Sequence, residues 1–117
     1  MSGGREKFGA FIRTEREARG IGLREEAKMI GVSPTYLSKV ERDQFPPPAE
    51  DKVKKIAEIL DLDADQLLAL ADRVSSDLSD IIKEQPREMA ALLRTTKGLT
   101  AEDLVRLARK VQQTNKT

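Results

Sequence analysis

Apolar positions along this chain recur every three or four residues, in blocks separated by glycine, proline or short polar side chains, the signature of amphipathic helices. Phe8, Phe11, Ile12 and Ala18 mark the first block, which predicts a helix over about residues 5–19 that Gly20 and Gly22 end; residues 1–4 read as a disordered lead. Leu23, Ala27 and Ile30 mark a second helix over 24–30, and Leu37 with Val40 a third over 34–42. Val53, Ile56, Ala57 and Leu60 give a fourth over 49–60, with Glu50 and Asp51 well placed at its positive end. Leu67, Leu68 and Leu70 give a fifth over 64–72.

The junction between the second and third helices carries the strongest local signals. Gly31 stands just past the last periodic residue, where a chain without a Cβ can take φ > 0 and reverse. Ser33 follows as a cap that can accept from an orphan N–H of the next first turn, and Pro34 opens that helix with its φ already helical. Beyond it, the loop Asp43–Pro48 reads DQFPPP, with Phe45 expected to anchor it to the core and the prolines to hold it extended. A single short proline run directly before a helix is a poor ligand for a partner groove. The acidic residues Asp61, Asp63 and Asp65 lack the glycine and distal glutamate of a calcium loop, and two of them read as capping residues.

Past Val74 the pattern changes. Ser75–Leu78 with Ile81 and Ile82, then Pro86 followed by Met89, Leu92 and Leu93, then Thr100 capping a run over 101–113, predict three further short helices. Their stripes exceed what a short tail can bury by itself: Leu99, Leu104, Leu107, Ala108 and Val111 must fold back on the preceding domain or meet a second copy, and the second copy is the expectation. The chain therefore divides into an expected domain over 1–74 and a helical extension over 75–117.

Composition narrows the function. With 3% aromatic and 35% charged residues in 117, the sequence suits an all-α fold with a small Leu/Ala core and a heavily solvated surface. Cysteine and histidine are absent, which removes disulfides, thiolate chemistry and the commonest zinc ligands and general bases. No nucleophile–base set or phosphate-cradling glycine loop stands in the sequence, so no catalytic residue, metal or cofactor is assigned. No apolar run reaches the length of a membrane span, and the start lacks a signal-peptide core, so no membrane partner and a cytoplasmic setting are expected. Net charge is +1, and residues 1–48 carry nine Lys/Arg against seven Asp/Glu, so any contact with nucleic acid must come from where charges point.

The stretch Leu23–Arg42, with the small Ala27, Gly31 four residues on, Leu37 and Val40 three apart, and the phrase IGVSPTYLSKVER, resembles the helix-turn-helix of the Cro and phage-repressor family of XRE-type regulators. The resemblance covers about residues 5–70 and implies a five-helix repressor-like domain whose third helix enters the major groove of duplex DNA. It implies base-facing roles for Pro34, Thr35, Tyr36, Ser38 and Lys39, and phosphate contacts for Arg24, Ser33, Arg42 and Gln44. It also implies a structural pair, Arg16 with Glu41, while the rest of the polar face of the first helix, Arg13, Glu15, Glu17 and Arg19, reads as solvated. Glu26 departs from the pattern, standing at a position usually apolar; an unpaired core carboxylate is costly, so it is expected to lie at an edge and reach outward. The resulting expectation is a regulator, a repressor in the first instance, that binds a palindromic operator as a homodimer through 75–117, with no small-molecule effector evident. The alternative is an antitoxin-like or accessory DNA-binding protein whose C-terminal helices hold a different protein.

Overall fold

The computed structural model describes residues 7–115, which form eight α-helices and, among the described residues, no strand. The expected lead over 1–4 and the start of the first helix at Arg5 fall outside them. The chain divides after Ser76 into two compact units.

In the first unit, α1 spans Phe8–Ala18, α2 Leu23–Ile30, α3 Pro34–Glu41, α4 Glu50–Leu60 and α5 Ala64–Leu70. Each turns its apolar stripe inward, so that Phe8 and Ile12, Ala27 and Ile30, Leu37 and Val40, then Val53, Ile56, Ala57, Leu60, Leu67 and Leu68 form one buried core. α1 packs on α3, α2 lies against both α3 and α4, and α4 packs on α5. At roughly 1.5–3 kcal/mol for each large side chain taken from water, this small core is the main source of stability. The fifth helix is shorter than the 64–72 expected: it stops at Leu70, Ala71 caps it, and Asp72 takes φ 60°. Ala71 is buried while Leu70 is only half-buried, because the chain leaves the helix there and turns the smaller side chain inward.

Local chemistry explains the element ends. Gly31 takes φ 86°, and the N–H groups of Gly31 and Val32 both donate to the Ala27 carbonyl at 2.9 Å, which closes α2 and reverses the chain. The Lys52 ammonium, reaching over from α4, donates to the Ile30 carbonyl at 3.2 Å and satisfies another orphan acceptor of α2. Asp61 ends α4 at φ 54°, and the Asp63 carboxylate caps α5 by accepting from the Gln66 N–H at 2.9 Å. The proline run is tied down by Arg73, whose guanidinium donates to the carbonyls of Pro48 and, at 3.1 Å, Pro47. Glu50 accepts from the Ser76 N–H and hydroxyl at 3.2 and 3.0 Å and pairs with Lys54 at 2.8 Å. The Lys54 hydrogen bond, followed by those from Ser76, holds the Glu50 carboxyl down to about 2.

The second unit contains α6 Ser76–Glu84 from its second residue onward, α7 Pro86–Thr95 and α8 Ala101–Asn115. Thr100 caps α8: its hydroxyl accepts from the Asp103 N–H while the Asp103 carboxylate accepts from the Thr100 N–H, both at 3.1 Å. No residue of these three helices is buried. Among the described residues no helix is long and apolar enough to cross a membrane.

Candidate nucleic-acid interface

α3 is presented by the turn that precedes it. The Ser33 hydroxyl accepts from the Tyr36 N–H at 3.0 Å and Pro34 occupies the first helical position, a cap worth about 1 kcal/mol that fixes where the helix starts. With Leu37 and Val40 buried, Thr35 is exposed and Pro34, Ser38 and Lys39 are half-buried, while Tyr36, also half-buried, packs against the edge of the core. Arg24, Ser33, Arg42 and Gln44 are exposed around this face. Because a hydroxyl has a proton as well as lone pairs, Ser33 can cap the helix and still donate to a phosphate.

Two clefts lie along the same side. One is lined by Leu23, Arg24, Pro34, Thr35, Ser38 and Arg42, and the other by Arg13, Arg16, Leu23, Ser38, Glu41 and Arg42. Arg24 and Arg42 therefore share one cleft, and Arg42 also borders the second, which holds Arg13 and the Arg16–Glu41 pair. Arg13, which the sequence places on a solvated face, makes an exposed pair with Glu17 at 3.3 Å, a weak contact with which an anion would have to compete. The Arg42 guanidinium folds back to donate to the Ser38 hydroxyl, so these two act together as a donor set.

Behind this face lies a buried ion pair. Arg16 Nε and Nη2 donate to Glu41 Oε2 and Oε1 at 2.8 and 3.0 Å, and Nη1 donates to the Ile21 carbonyl at 2.8 Å. The bidentate geometry joins α1 to the last turn of α3 and fixes the rotation of the exposed face. The hydrogen bond with Glu41 raises the Arg16 pKa above its ordinary value.

Glu26 does not reach outward. Its side chain is 0% exposed, and neither carboxylate oxygen has a hydrogen-bond partner among the described residues. Glu26 shares the inner face of α2 with Ala27 and Ile30, and packing of that helix against both α3 and α4 closes the route to water. Burial, with the charge of Glu41 adding to it and that of Arg16 opposing both, pushes its carboxyl up to about 7.

Two loop residues are placed in ways the sequence did not suggest. Asp43, at φ 58°, accepts from the Gly9 N–H at 2.9 Å and the Ala10 N–H at 3.2 Å, capping the start of α1 from the far end of α3. Gly9 permits this approach, since a Cβ there would stand 2.1 Å from the Val40 carbonyl oxygen. Phe45 does not enter the core. It is 39% exposed and lies on the flank of α3, its ring centroid 5.9 Å from that of Tyr36 and 5.2 Å from the Lys39 ammonium. The apolar character of Phe45 suggested burial, and nothing local distinguished the core from a helix flank.

A capped helix held outward by its neighbours, with Arg24 and Arg42 in the cleft beside it, defines a helix-turn-helix module of repressor-like fold. Residues 9–73, more than half of the chain, match the family described as Helix-turn-helix domain, and the chain belongs to that family. Over 63 residues it is 41% identical to an uncharacterized HTH-type transcriptional regulator found in two strains of Mycobacterium tuberculosis. That match covers 54% of this chain and 44% of each relative, so the chain spans less than half the length of the curated relatives it matches. The DNA-binding domain of the P22 c2 repressor is 28% identical with a TM-score of 0.50, covering 55% of this chain and 83% of that one. The clp gene regulator ClgR from Corynebacterium glutamicum is 27% identical, also with a TM-score of 0.50, covering 80% and 93%.

Proposed function

We propose that this protein is a sequence-specific transcriptional repressor of the cytoplasm that binds a palindromic duplex operator as a homodimer. Pro34, Thr35, Tyr36, Ser38 and Lys39 face the base edges, while Arg24, Ser33, Arg42 and Gln44 hold phosphates. The observation that carries the reading is the joint placement of Arg24, Thr35, Ser38 and Arg42 along one cleft beside a helix whose start is capped and whose far end is locked by Arg16 and Glu41. Such a helix offers hydroxyl and ammonium donors to base edges, with guanidinium groups spaced around them for the backbone.

The second unit supports assembly as a dimer. Leu78, Ile81, Leu92, Leu93, Leu104, Val105, Leu107 and Val111 are all exposed on helices with no buried residue, an apolar surface that a second copy would cover. Two-fold pairing also matches the chemistry of reading, because one module touches few bases and two half-sites multiply specificity. Light scattering should return a dimer; a monomer at high micromolar concentration that copurifies with a different polypeptide would replace this reading with that of an accessory protein.

A salt titration tests the DNA contacts. Using the best duplex selected from a random pool, Thr35→Ala should cost roughly 1–3 kcal/mol on that site, little on random DNA, and leave the salt slope unchanged. Arg42→Ala should weaken both and lower the slope by about one unit. If both variants bind every sequence as the parent does, α3 is not the reading surface.

A further inference from the structure

Phe45 is a large aromatic side chain that lies outside the core yet has a fixed position. The N–H groups of Gln44 and Phe45 both donate to the Lys39 carbonyl, at 2.9 and 3.3 Å, and the neighbouring Asp43 is held by its two bonds to the start of α1. The loop therefore returns to α3 along a path set by these hydrogen bonds, and it delivers the ring against Tyr36 with the Lys39 ammonium 5.2 Å from its centroid. Lys39 makes no ion pair among the described residues.

We propose that Phe45 is a positioning residue for base reading: its ring holds the Lys39 ammonium over the base-facing side of α3, where that ammonium selects a guanine. This rests on the proposed DNA-reading function. A lysine carries four rotatable bonds and, free in water, samples many directions; a ring face restricts it through the attraction of the ammonium for the π quadrupole. A carboxylate could restrict it as well, but would neutralise the charge and compete for its protons. The ring leaves the charge intact and the N–H donors free to meet the O6 and N7 acceptors that guanine presents in the major groove. Tyr36 meets the same ring at a tilt of 48°, so an aromatic neighbour on α3 also contacts the ring that holds the cation.

The test selects duplexes from a random double-stranded DNA pool with the full-length parent, Lys39→Gln, Phe45→Leu and Phe45→Trp. Lys39→Gln should relax a guanine preference at one position of the half-site, which marks the base that Lys39 reads. Phe45→Leu, apolar but without a π face, should reduce the preference at that same position by about two- to five-fold, while Phe45→Trp retains it. Combining Lys39→Gln with Phe45→Leu should give no further loss there, and the salt slope of Phe45→Leu should stay at the parent value. The preference ratio is the deciding readout, because a loss of folded protein lowers binding to all sequences alike and leaves the ratio unmoved. Full preference in Phe45→Leu, or a Lys39→Gln variant that relaxes no position, overturns the inference while the DNA-reading function stands. A parent that selects no sequence overturns the function itself.

Discussion

Replacing Glu26 by methionine should make the protein more stable, and by an amount that depends on pH. In the folded chain the Glu26 carboxyl titrates at about 7 rather than its ordinary 4.5, because it is buried without a partner and lies near Glu41. The folded state thus holds this proton more tightly than the unfolded state does. Below about 4.5 both states are protonated and ionisation costs nothing; as pH rises the unfolded state loses its proton first, and stability falls by about 1.4 kcal/mol per pH unit until the folded carboxyl also ionises near 7. Across that window of about 2.5 units the loss is about 3 kcal/mol, a large share of the 5–15 kcal/mol typical of a small domain. Methionine has similar length, good helix propensity and no charge, and it leaves the Arg16–Glu41 pair in place. Urea unfolding followed by helical circular dichroism at about pH 4 and about pH 8 should show the advantage of Glu26→Met growing by about 3 kcal/mol between them. Glu26→Gln should flatten the pH dependence in the same way but lie lower, since its buried amide remains unsatisfied. An advantage equal at both pH values would show that Glu26 does not bind its proton more tightly in the fold, and the reasoning from its burial would fail.

The Arg16–Glu41 pair gives a different expectation: Arg16→Ala leaves Glu41 and Glu26 buried without a cation and should destabilise by about 3–5 kcal/mol in urea, whereas an unchanged midpoint would show that the pair contributes nothing. Gly9→Ala should lower the thermal midpoint through a cost of about 1–3 kcal/mol or more, because the added methyl meets the Val40 carbonyl, a backbone group that cannot rotate away. A midpoint equal to that of the parent would mean that α1 can withdraw from α3 without loss.

Much of how α3 is presented is legible in the sequence. Gly31, Ser33 and Pro34 announce where α2 must end and α3 must begin, because the orphan N–H and C=O groups at helix termini are satisfied within a few residues. The periodicity of Leu37 and Val40 then leaves Thr35, Ser38 and Lys39 to face outward. The same locality makes Asp63 and Thr100 readable as caps, whereas Asp43 as the cap of α1 is invisible there, its partners lying 33 and 34 residues away. Phe45 misleads for a related reason: hydropathy says that a ring seeks contact, and Tyr36 with Lys39 satisfies that as the core would have done.

What the sequence alone determined, then, is the order of the helices, the junction between α2 and α3, and the stripes that the first five turn inward, all governed by interactions reaching no farther than one helical turn. Glu26 shows where that reach stops. Its place on the inner side of α2 could be counted from Ala27 and Ile30, but whether it finds water depends on how closely α3 and α4 approach that side. The tertiary structure decided that, along with the Gly9 contact, the remote Asp43 cap and the meeting of Arg24 and Arg42 in one cleft. Each depends on which faces meet across long sequence separations, and side-chain packing at those crossings selects one arrangement among many that the helical pattern alone would allow.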